Sequence, residues 1–179
     1  MGESTLNYEA YIEGLVEKGR AAQKIAEGFS QERVDELCEA IAYALTVPET
    51  ALDFGEKLVA ESGMGIAKDK QLKTFSKVKG TWAQMKGEKS VGLVESNKET
   101  GVDKYARPMG VVGALIPVTN GEATPVVKSL MAVKTRNAII LAPHPRAKKT
   151  NLEVTNKIRG VLRNNRCFQI IKTPCVKNF

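Results

Sequence analysis

The sequence has few of the residues that hold metals, with one histidine and three cysteines among 179 residues. Cys38, Cys167 and Cys175 are an odd number without ligand spacing, and His144 stands alone, so no metal site is expected. Aromatic residues make up 6% of the chain, too few to interleave with basic ones as a stacking platform for single strands. The formal net charge of +7, with its excess in residues 128–177, therefore gives no reason to expect a nucleic-acid partner. No apolar run approaches the roughly 18 residues that span a bilayer, so no membrane partner is expected either. Met1-Gly2-Glu3-Ser4 lacks the basic and apolar regions of a secretory signal, and Met1-Gly2 is not followed by Ser or Thr at the sixth position. The expectation is a cytoplasmic protein.

What is present is periodic. Tyr11, Ile12, Leu15, Val16, Ala22, Ile25, Ala26 and Phe29 recur at spacings of three and four and predict one amphipathic helix. Ser30 reads as the N-cap of a second, with Glu32 in its first turn and Val34, Leu37, Cys38, Ile41, Ala42 and Leu45 along its stripe. Pro48 suits the first turn of a third, which Ser62-Gly63-Met64-Gly65 ends. A fourth carries Leu72, Phe75, Val78, Trp82 and Met85 on one face.

The period then changes. Short extended runs around Val91–Val94 and Val102–Ala106 flank the turn-forming Asn97-Lys98-Glu99-Thr100-Gly101, which predicts a projecting hairpin over 89–108. Val111 to Ile116 is a continuous apolar run ending at Pro117, the pattern of a fully buried parallel strand. A helix over Glu122–Lys134, a strand over Asn137–Leu141, a helix over Ala147–Arg163 and a strand over Phe168–Ile171 complete β-α-β-α-β. The fold class is α/β: N-terminal helices plus a partial Rossmann-like parallel sheet with a projecting β-hairpin. The domain reading is 1–88 for the helical part, 89–108 for the hairpin and 109–179 for the dinucleotide-binding portion.

Ligands of such a sheet sit at the carboxyl ends of its strands, which singles out two loops. The first is Ile116-Pro117-Val118-Thr119-Asn120 and the second Ala142-Pro143-His144-Pro145-Arg146. The G-x-G-x-x-G fingerprint is absent. Asn120 could donate its carboxamide N–H to an oxyanion, or could simply cap a turn. Arg146, Lys148 and Lys149 open a helix where positive charge opposes the dipole, which makes local sense if a phosphate binds there; a solvated basic face is the alternative. His144, between two prolines, suits a fixed contact with a ribose or adenine.

These residues carry a resemblance. Gly110 to Asn120, Lys128-Ser129-Leu130, Lys134-Thr135-Arg136-Asn137 and Ala142 to Lys149 closely resemble the CoA-acylating branch of the aldehyde dehydrogenase superfamily, as do Glu61-Ser62-Gly63-Met64-Gly65 and the hairpin. The resemblance implies oxidation of a small aldehyde with NAD or NADP as cofactor and transfer of the acyl group to coenzyme A, through a cysteine thiolate. It implies that Asn120 is the oxyanion asparagine, that Ile116, Pro117, Val118 and Thr119 line the nicotinamide side, and that His144, Pro145 and Arg146 lie beside the adenosine ribose. It also implies that the hairpin builds a homo-oligomer.

Two departures accompany it. The family's nucleophile lies in a catalytic domain downstream, and none of the three cysteines matches it. Arg163-Asn164-Asn165-Arg166-Cys167 replaces the family's Gly-Ala-Pro type turn. The expectation is an N-terminal portion of such an enzyme, truncated and inactive alone, with apolar strand faces left open. A non-catalytic nucleotide-binding or interaction protein is the alternative. The aldehyde, and NAD against NADP, are left open.

Overall fold

The computed structural model describes residues 7–165 and the backbone of 171–172. Four helices come first: α1 (Tyr8–Ala26), α2 (Gln31–Leu45), α3 (Pro48–Ser62) and α4 (Ala67–Met85). Local chemistry sets their ends. Asn7 caps α1 by accepting from Ala10 N, and Ser30 caps α2 by accepting from Arg33 N at 3.2 Å. Pro48 sits in the first turn of α3, and Gly63 ends it in the left-handed region at φ 69°.

The hairpin follows as β1 (Gly92–Asn97) and β2 (Val102–Ala106), antiparallel, with a register shift between Leu93 and Glu95. Asn97 Oδ1 accepts from Glu99 N and Thr100 N, which fixes its turn. Nearly every hairpin residue is exposed.

The second half is β3 (Val111–Ile116), α5 (Thr124–Lys134), β4 (Ala138–Pro143), α6 (Lys148–Asn164) and β5 (Ile171–Lys172). The strands form one parallel sheet in the order β3-β4-β5, with Val111 opposite Ala138 and Ile116 opposite Pro143. The third strand expected over Phe168–Ile171 lies outside the described residues except at its end. So do Cys167 and Cys175.

One core joins both halves. Leu37, Ile41 and Leu45 of α2 meet Ala114 and Ile116 of β3, Val126 and Leu130 of α5, and Val154, Ile158 and Leu162 of α6. Each fully buried aliphatic side chain contributes on the order of 1.5–3 kcal/mol. On the other face of β3, α1 comes close enough that a Cβ on Gly19 would lie 3.0 Å from Val111 Cγ1.

Several patterns fall differently from their sequence expectation. The β3 run is not buried on both faces, since α1 covers only its Val111 end and Leu115 is 85% exposed. In α1, Ala22 and Ala26 are buried while Ile12 and Ile25 face outward. The α4 stripe holds at Val78, Trp82 and Met85, which pack into or against the core, but Leu72 is 61% exposed, and the polar Lys70 and Thr74 are buried as well. Lys70 reaches the first loop, whereas the Thr74 hydroxyl is buried without a hydrogen-bond partner among the described residues.

The junction of the halves is held by Asn137 and Arg136. Asn137 Oδ1 accepts from Met109 N and Gly110 N at 2.6 and 2.8 Å. Arg136, at φ 58°, donates from its guanidinium to Glu27 O and Ala106 O, which ties α1 and the hairpin to the start of β4.

Candidate functional site

Both loops singled out by the sequence lie at the carboxyl edge of β3 and β4, and they are tied to each other. His144 N donates to Ile116 O at 3.0 Å, extending the parallel ladder past the strands. Gly121 closes the gap: a Cβ there would lie 3.0 Å from Leu58 Cδ1 and 3.1 Å from Ala147 Cβ.

In the first loop Ile116 is buried, Pro117 and Thr119 are exposed, and Val118 and Asn120 are half-buried. Val118–Asn120 form a single 3-10 turn. Two lysines of α4 hold this turn from below. Lys70, 5% exposed, donates to Thr119 O. Lys73 Nζ donates to Asn120 Oδ1 at 3.0 Å. An ammonium has only donors, so this bond fixes the carboxamide with its oxygen toward Lys73 and its Nδ2 turned away. Nδ2 makes one long contact, 3.4 Å to Thr119 Oγ1, and keeps a second N–H for an acceptor.

Behind the turn lies Glu122, 1% exposed, whose carboxyl oxygens meet no side-chain partner. Burial pushes this carboxyl up from its ordinary value, against the opposing pull of its own backbone N–H and of Lys70 and Lys73. Beside Asn120 a cleft of about 330 Å³ runs between α4 and α5, walled by Lys73, Lys77, Thr81, Thr124 and Val127.

The second loop is organised by α3 rather than by an outside anion. Glu61 Oε1 accepts from Lys149 N, and Oε2 accepts from Thr150 N and Thr150 Oγ1, at 2.7–2.8 Å. A carboxylate of the chain thus fills the N-terminus of α6, where the sequence left a bound phosphate or a solvated basic face open. The Arg146 guanidinium turns to Ser62 O, at the end of α3. His144 Nδ1 accepts from Arg146 N at 3.1 Å, which leaves the ring's Nε2 as its donor. Pro145 is exposed.

Cys38 offers no nucleophile. It is fully buried, its Sγ lies 3.6 Å from Leu130 O, and burial pushes the thiol up to about 12. Among the described residues no three His, Cys, Asp or Glu gather as a metal site, and no helix is long and apolar enough to cross a membrane.

Sequence reasoning brought together Ile116 to Asn120 and His144 to Arg146, and the structure places them on one rim. It missed Lys70, Lys73, Glu122 and Glu61. The available signal was Lys70-x-x-Lys73-Thr74, three polar residues on one helical face directly beside an apolar stripe.

No family model matches the chain. Among curated relatives, a sulfoacetaldehyde dehydrogenase from an Acholeplasma species is 40% identical over 93% of this chain. An acylating sulfoacetaldehyde dehydrogenase from Bilophila wadsworthia is 42% identical over 83% of it. The chain spans about a third of the length of the curated relatives it matches. A solved acetylating aldehyde dehydrogenase from Geobacillus thermoglucosidasius superposes with a TM-score of 0.88 at 31% identity, over 96% of this chain and 38% of that one. Two structures at 24% identity and TM-score 0.73 share the fold over 90% of this chain and about a third of theirs. One is a Rhodopseudomonas palustris propionaldehyde dehydrogenase with bound CoA, the other an engineered glycolyl-CoA reductase with bound NADP+.

Proposed function

Because the chain belongs to the CoA-acylating aldehyde dehydrogenases, matching about a third of their length, we propose that it supplies the oxyanion donor and part of the cofactor rim for NAD(P)-dependent conversion of a small aldehyde to an acyl-CoA. A nicotinamide held at this rim would supply the hydride acceptor and coenzyme A the acyl acceptor. The chain's own residues bind and orient. The observation that carries the reading is the Lys73–Asn120 bond, which presents Nδ2 as a fixed donor beside the strand ends. One such donor, placed before reaction, lowers a barrier by roughly 2.7–4 kcal/mol.

The rim suits a nicotinamide nucleotide at its flat and hydroxyl-bearing parts. Ile116 to Thr119 give an apolar ledge with one hydroxyl, and His144, with Nδ1 already engaged, has Nε2–H for a ribose hydroxyl. The N-terminus of α6 does not suit a phosphate, because Glu61 fills it. Arg146 supports this rim by holding Ser62 rather than by reaching outward. The exposed hairpin, residues 89–108, serves as the arm of a homo-oligomer, with Val102 and Tyr105 as its apolar contacts.

Titrating the chain with NAD+ and NADP+ while following the backbone amides of residues 116–120 and 144 tests the cofactor part. Shifts confined to these residues are expected from at least one nucleotide; silence with both would sink it. The 179-residue chain itself should show no CoA-dependent aldehyde oxidation, since Cys38 is buried and neither Cys167 nor Cys175 matches the family's nucleophile.

A further inference from the structure

Glu122 is the only acidic side chain buried among the described residues, and neither of its carboxyl oxygens has a side-chain partner there. Buried charge elsewhere in the fold is provided for: Lys134 has the Asp35 carboxylate, and the Arg136 guanidinium reaches two carbonyls. The charged groups that act on Glu122 are Lys70 and Lys73, both of α4. Against the adjoining Gly121, α3 brings Leu58 and the second loop brings Ala147, both apolar. The first turn of α5 carries no charge.

Both lysines are committed to neutral oxygens of the first loop, Lys70 to Thr119 O and Lys73 to Asn120 Oδ1. A carboxyl that keeps its proton makes no claim on them. Once that proton leaves to water, an unpaired carboxylate in a buried setting is among the costliest groups a fold can hold. The nearest relief is an ammonium, and at low dielectric its attraction to a carboxylate exceeds its attraction to a neutral oxygen.

Resting on the role given to Asn120 above, we propose that Glu122 is a positioning residue for that carboxamide. Neutral, it leaves Lys70 and Lys73 on the turn and Asn120 Nδ2 aimed; ionised, it draws an ammonium away, and Nδ2 loses its fixed direction. Glu122 lies behind the turn and off the wall of the cleft, so it acts through the lysines. Burial holds its proton above the ordinary carboxyl range. The aimed donor therefore belongs to lower pH and the released one to higher pH.

The test follows the 179-residue chain by NMR from about pH 4 to pH 9. It reads the Glu122 carboxyl carbon and the order parameter of the Asn120 side-chain amide. The ring carbons of His144, the one histidine of the chain and a neighbour of this loop, are followed separately. The amide should be rigid at low pH and fall below about 0.6, the flexible range, as Glu122 ionises with a midpoint above 4.5. A field effect of the new charge shifts signals without loosening the amide, so order tells the two apart, and this reading needs no variant. Glu122→Gln should stay rigid across the range. An amide that stays rigid throughout in the parent, that loosens with His144 instead of Glu122, or that still loosens in Glu122→Gln would each overturn the proposal and leave the role of Asn120 standing. Lys73→Met should be loose already at low pH. An amide still rigid in that variant removes the role given to Asn120 itself.

Discussion

Replacing Glu61 with alanine removes three hydrogen bonds from the start of α6, two from backbone N–H groups and one from the Thr150 hydroxyl. Their value depends on what water can replace. Lys149 N is at the exposed end of the helix and regains a partner at once. Thr150 N and Oγ1 are part-buried, so losing their acceptor costs more. Loss of a helix cap costs about 0.5–2 kcal/mol, and loss of a negative charge at a helix N-terminus roughly 0.3–1 kcal/mol. The sum is about 1–3 kcal/mol, which for a chain of this size lowers Tm by roughly 2–12 °C. Glu61→Gln keeps one acceptor without the charge and should fall between parent and alanine. Urea denaturation followed by circular dichroism at 222 nm reads the difference, with the slope m checked for constancy. A Glu61→Ala midpoint equivalent to less than about 0.5 kcal/mol of change, at unchanged m, would mean that the carboxylate contributes no more than solvent. The account of how the second loop is organised would then fail.

Two other predictions concern buried titratable groups. With its thiol pushed up to about 12, Cys38 is thiolate in only about one molecule in ten thousand at pH 8. Iodoacetamide followed by peptide mass mapping should leave it unmodified in the native chain and alkylate it in urea; native labelling at the rate of a free cysteine contradicts its placement. Glu122 is raised above its ordinary value near 4.5 chiefly by burial, so the native state holds its proton more tightly than the unfolded chain. That stabilisation is fully present below about pH 4.5 and is lost as pH rises through the raised native value. Glu122→Gln, neutral throughout, should flatten this decline and melt higher than the parent near pH 7. A variant less stable at pH 7, with the parent's slope retained, would show that Lys70 and Lys73 outweigh burial.

What the sequence revealed depended on whether the partner was near or far along the chain. Ser30, Pro48 and the Asn97 turn act on residues within three or four positions, and each was readable because its partner was adjacent. The strand Val111–Ile116 was readable from its unbroken apolar run, but not which of its faces is covered, because Gly19 is the device and nothing near it says so. β4 extends to Pro143, beyond the Leu141 expected from hydrophobicity, since pairing with Ile116 carries it on regardless of side-chain type. In the site, the two loops were legible and their supports were not. Glu61 reaches Lys149 and Thr150 across about half of the chain, and the basic run from Arg146 looked like a receptor for an external phosphate because its internal anion was out of view. Lys70 and Lys73 looked like the solvated side of α4 because the carbonyl and carboxamide they hold lie nearly fifty residues on.

The bond from His144 N to Ile116 O has a consequence for motion. Two free loops at a binding edge would each wander, and a ligand touching both would have to still them together. Here the edge is a continuation of the strand ladder, so the start of the His144 turn is tied to the end of β3, from which the Asn120 turn leaves. The disorder that such a ligand would otherwise have to remove is already gone when the chain folds. The spacing of the Asn120 and His144 backbones is then set by register, and substitutions in the side chains of either loop should leave it unchanged.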